Sequence, residues 1–99
     1  QQLDGLRRRL TELETKKAAL LERLRHLKEG LARELEIAAG DAEMARYMGE
    51  YSKSVQKQED AIRESAAALD RQMEKLREEV GEKFSELKTF EIALEQQKE

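Results

Sequence analysis

Apolar residues recur along this chain in alternating steps of three and four. From the start they fall at Leu3, Leu6, Leu10, Leu13, Leu20, Leu24, Leu27 and Leu31, with Lys17 standing in the same line. That is an a/d heptad repeat, which lays one apolar seam along a helix wound against a partner. Extended through positions 34 and 38, the repeat has eleven sites, nine of them apolar; Lys17 and Glu34 are the exceptions. The pattern predicts a first helix over about residues 3–39. Leu21 and Leu35 widen its stripe beyond a narrow seam.

A second seam reads Met48, Ser52, Val55, Glu59, Ile62, Ala66, Leu69, Met73, Leu76, Val80, Lys83, Leu87, Phe90 and Leu94, apolar at eleven of fourteen sites. It predicts a second helix over about residues 47–98. Glu12 with Lys16, Glu59 with Arg63 and Glu79 with Lys83 are spaced and ordered as helical ion pairs. No strand-like alternation occurs anywhere.

Between the seams the heptad phase is lost, and Gly40-Asp41 reads as a stop followed by a start. Gly tolerates the left-handed conformation that ends many helices, and an Asp side chain accepts bonds from the free amides of the next helix. The expected turn lies within residues 40–46. The resulting fold class is all-α, an antiparallel two-helix coiled-coil hairpin forming a single domain over residues 1–99. A second helix longer than the first would overhang, so further residues before Gln1 are expected and the chain reads as part of a longer protein.

Composition supports helices and excludes most chemistry. The 99 residues are 41% charged and 4% aromatic, without Pro, Cys or Trp. Pro inside a helix costs about 3 kcal/mol, so its absence suits long uninterrupted helices. A chain this short and this polar has little material for a thick core. Without Cys there is neither a disulfide nor a thiol nucleophile, and one His leaves little scope for zinc. Net charge is only −3, giving no case for nucleic acid. It is unevenly spread: nine basic against seven acidic residues up to position 39, and ten against fifteen beyond it. Opposite charge on the two arms favours folding back, weakly, because salt screens it.

No catalytic constellation is present. The only His, His26, lies between seam leucines and is flanked by Arg25 and Lys28, as a solvated helix residue would be. Acidic pairs such as Glu78-Glu79 need burial in a pocket to raise a carboxylate pKa, and two helices offer none. No cofactor, metal or small-molecule ligand is expected, and the chain is not read as an enzyme. Arg7-Arg8-Arg9 reads as exposed surface, since no aromatic is interleaved for base stacking. Lys17, Glu34, Glu59 and Lys83 read as polar seam positions that set register at a cost in stability. Met44, Tyr47, Met48 and Tyr51 put large adaptable side chains beside the turn, a candidate contact for a partner.

From Tyr47 to the end, the chain resembles the FliJ family, the coiled-coil component of the bacterial flagellar (type III) protein-export apparatus. The resemblance rests on Tyr47 and Tyr51 at the start, on apolar sites at Val55, Leu69, Met73, Val80, Leu87 and Phe90, and on the closing Glu82-Lys83-x-x-x-Leu87-Lys88-x-Phe90-Glu91 stretch. It implies a cytoplasmic hairpin stalk, peripheral at the inner membrane, whose open end inserts into the hexameric export ATPase. It also implies contacts with the membrane export gate protein and with export chaperones. The gate contact carries over to Tyr51, Val55, Gln58 and Ile62. Val55 and Ile62 are also seam positions, so Tyr51 and Gln58 are the two expected to stand free. The alternatives are a structural coiled-coil spacer pairing as a homodimer, and an adaptor that clamps the helices of other proteins.

Overall fold

With no Pro to interrupt it and an apolar seam to bury, the chain is helical almost throughout. The computed structural model describes residues 2–98. Helix α1 spans Gln2–Ala38 and helix α2 spans Ala42–Lys98. Together they make an all-α, antiparallel two-helix coiled-coil hairpin, and no strand occurs among the described residues.

The turn is shorter than the sequence suggests. Helix α2 starts at Ala42, not near residue 47, because Asp41 caps it at once. The Asp41 Oδ1 atom accepts the backbone N–H groups of Glu43 at 2.9 Å and Met44 at 3.3 Å. The Ala45 N–H then donates to the Asp41 carbonyl at 3.0 Å, the first bond of the helical ladder. On the other side, Ala39 N–H donates to the Glu36 carbonyl at 3.3 Å, and Asp41 N–H to that of Ala38 at 3.1 Å. Both are three-residue steps that tighten the last turn of α1 and satisfy its free carbonyls. Gly40 therefore needs no left-handed backbone, and no described glycine has a positive φ.

The hairpin divides into two units. The turn unit, Lys16–Ala68, holds the end of α1 and the start of α2. Its core is Ala38, Met48, Val55, Ile62 and Ala66, all buried, with Leu20, Leu24, Leu27 and Leu31 half-buried from the α1 side. Full burial of a Val or Ile side chain contributes roughly 1.5–3 kcal/mol. Glu59, a seam site, is also buried, whereas Glu34 is exposed in spite of its seam position. Leu21 and Leu35 are exposed too, since a single partner helix covers the a/d line and not the wider stripe.

The terminal unit joins the residues up to Thr15 with those from Leu69 onward. Leu13, 1% exposed, and Met73 are its buried centre. Leu3, Leu6, Leu10, Leu69, Leu76, Val80 and Lys83 are half-buried around them. Two contacts fix the register. Arg9 and Leu13 share a groove with Gln72, Leu76 and Glu79, and Leu3 shares one with Lys83 and Leu87. From Phe84 to Lys98 every residue of α2 is exposed. The seam expected to continue through Phe90 and Leu94 is therefore exposed among the described residues, and Leu87, bordered by Leu3, is covered only in part.

Candidate partner-binding site

The Asp41 cap decides which side chains crowd the tip of the hairpin. By starting α2 at Ala42, it places Met44, Tyr47, Met48 and Tyr51 on successive turns of one helix. These four line a shallow groove closed on the α1 side by Glu34. Met48 forms its buried floor, while Met44, Tyr47 and Tyr51 stand open to solvent. Leu35 and Ile37 add exposed apolar surface on α1. Glu34 thus lies on the rim of a groove, with its carboxylate in water.

Of the four residues matched to a gate contact, the fold separates two from two. Val55 is 2% exposed and Ile62 5% exposed, so both belong to the core of the turn unit. Tyr51 is 42% exposed. Gln58 is exposed as well, its Nε2 in loose contact at 3.5 Å with the carbonyl and the hydroxyl of Ser54 one turn earlier. A partner approaching this stretch of α2 meets Tyr51 and Gln58 and cannot touch Val55 or Ile62.

The charged surface is held along the helices. Arg25 donates to Glu22, its Nε at 3.1 Å, and to Glu29 at 2.7 Å, and Glu22 also reaches His26 Nε2 at 3.1 Å. The hydrogen bond from Arg25 holds the Glu22 carboxyl below the usual carboxylate range, and the same pairing raises the Arg25 guanidinium above its ordinary value. All four side chains are about half exposed or more, so the cluster is a solvated helix face. The ion pairs differ from those read from spacing. Glu12 is reached by Arg9 at 3.2 Å, Arg63 reaches Asp60 at 3.6 Å, and Lys83 reaches Glu86 at 3.4 Å. Such exposed pairs contribute about 0–1 kcal/mol each, which is why spacing alone does not decide among them.

Within the terminal unit the Arg7-Arg8-Arg9 run is engaged in two ways. The Arg7 guanidinium lies 5.4 Å from the centre of the Phe84 ring, and Arg9 pairs with Glu12. Phe84 is off the seam, and the heptad reading passed over it. Its signal was its place on the flank of the α2 seam, opposite the flank of α1 that carries Arg7. Among the described residues no group of His, Cys, Asp or Glu is arranged to hold a metal ion, and no helix is long and apolar enough to cross a membrane. No protein-family profile, curated protein or solved structure matches this chain.

Proposed function

We propose that this chain is a stalk-like, non-catalytic component of a bacterial flagellar protein-export apparatus, working through binding surfaces and stiffness. The observation that carries the reading is the hairpin itself, a two-helix coiled coil closed by a capped three-residue turn. Two packed helices transmit axial and torsional load because bending them must break close-packed seam contacts. Together with the resemblance of α2 to the FliJ family, this favours a stalk whose open end sits in the hexameric export ATPase. Asymmetric placement in a six-fold ring would bias which subunit is poised to hydrolyse ATP. On this reading the exposed Tyr51 and Gln58 meet the membrane export gate protein, export chaperones are further partners, and the chain works in the cytoplasm beside the inner membrane. The test is the ATPase rate of a hexameric export ATPase titrated with this chain. The reading expects a saturable rise that depends on an intact hairpin; an unchanged rate at saturation contradicts it.

A further inference from the structure

We propose that the groove at the tip of the hairpin is a docking site for a basic amphipathic helix of a partner protein. Both of its walls belong to the turn unit, with Glu34 from α1 and Met44, Tyr47, Met48 and Tyr51 from α2 on either side of the capped turn. Met48 is a floor at 8% exposure, while Met44, Tyr47 and Tyr51 stand open at 43%, 75% and 42%. Methionine adapts to an irregular partner surface, and tyrosine offers an apolar ring with a hydrogen-bonding tip. Both residue types are enriched where proteins meet. The space of about 530 Å³, open along one side, suits a row of side chains carried on a partner's backbone.

Backbone and charge choose the occupant. The walls are helix, with main-chain bonds already made within α1 and α2, so an extended peptide finds no edge to pair with. A helix brings its own backbone bonds satisfied and docks through side chains at i, i+3, i+4 and i+7. The turn unit holds ten basic and ten acidic residues, yet from Arg33 to Tyr51 it holds two basic and five acidic. Glu34, on the rim, makes no ion pair with a described residue. Neither arginine offsets it. Arg33 is turned back toward Gly30, its Nη2 3.9 Å from where a Cβ would stand there. Arg46 lies on the face of α2 opposite Met44 and Tyr51, two residues from the one and five from the other. The partner helix therefore carries a Lys or Arg one turn from its apolar row, placed to meet Glu34. A second copy seated tip to tip would set two acidic rims against each other. Tyr51 also belongs to the gate contact proposed above, but this inference rests on the groove alone and fixes the chemistry of whatever partner sits there.

Fluorescence anisotropy tests this on the 99-residue chain with a labelled helical peptide of about four turns. The peptide carries a row of Leu flanked by Lys, and a twin carries Glu in place of Lys. At low salt the Lys peptide should bind at least about tenfold more tightly than its twin, and the gap should narrow as salt rises. Tyr47→Ala should weaken binding at least about fivefold and leave the melting of the hairpin unchanged. Glu34→Gln should weaken it about twofold to fivefold. Glu64→Gln, the same charge change at an exposed site off the groove, should leave it unchanged, which separates the groove from the general pull of an acidic chain. No binding up to near-millimolar chain, or equal binding of the two peptides, overturns the proposal. Binding indifferent to Tyr47→Ala overturns the location. A dimer in sedimentation velocity that Tyr47→Ala dissolves overturns the occupant in favour of a second copy. No export protein enters these experiments, so this inference and the stalk reading stand or fall separately.

Discussion

At the scale of single residues, Gly40 and Asp41 do different jobs, and substitution separates them. Asp41 accepts two amides of α2, so Asp41→Ala should cost about 1 kcal/mol, read from chemical denaturation. Gly40 has an ordinary backbone and nothing within 4 Å of where a Cβ would stand. Gly40→Ala should therefore stabilise by about 0.4–1 kcal/mol, by narrowing the unfolded ensemble. Destabilisation by Gly40→Ala would mean that the turn needs a conformation only glycine adopts. The cap was legible in the sequence because Asp before a good helix former has a local, specific signature. The glycine was misread because its usual left-handed role was not required once three-residue hydrogen bonds closed the turn. The candidate contact residues divide in the same way. Ile62→Ala should cost about 2–5 kcal/mol by leaving a cavity. Tyr51→Ala and Gln58→Ala should leave the melting temperature nearly unchanged. Only the latter pair can report on partner binding without confounding it with unfolding; a large stability loss in Tyr51→Ala would place that ring in the core.

At the scale of the elements, periodicity identified both helices and most of the buried line. It did so because an a/d repeat is satisfied only against another helix. Heptad phase by itself did not show which sites are covered, although the greater length of the second stretch already predicted that its end would overhang. Leu13 and Phe90 read as equivalent seam residues in the sequence, yet Leu13 is 1% exposed and Phe90 is 63% exposed. Which seam sites are covered follows from the length of α1 and from its register against α2, and heptad phase carries neither. Leu13→Ala should accordingly cost about 2–5 kcal/mol, whereas Phe90→Ala should cost less than about 0.5 kcal/mol in the monomer. Equal losses at the two sites would show that α2 is covered along its whole length. Glu34 carries the same lesson at the other end: seam phase placed it inside, and the open groove beside Met44 and Tyr51 leaves it in water.

At the scale of the whole molecule, everything proposed for this chain depends on α2 returning along α1. A two-helix stalk and a tip groove are both features of a hairpin, and a continuous helix would have neither. The most direct test is a double electron–electron resonance measurement with spin labels in place of Arg9 and Glu79, which share a groove in the terminal unit. The hairpin predicts a narrow short distance, about 20 Å or two helix diameters, that persists when labelled protein is diluted into an excess of unlabelled protein. A continuous helix would separate the two positions by about 105 Å. A missing short distance, or one that disappears on dilution because it arose between two chains, would contradict the account.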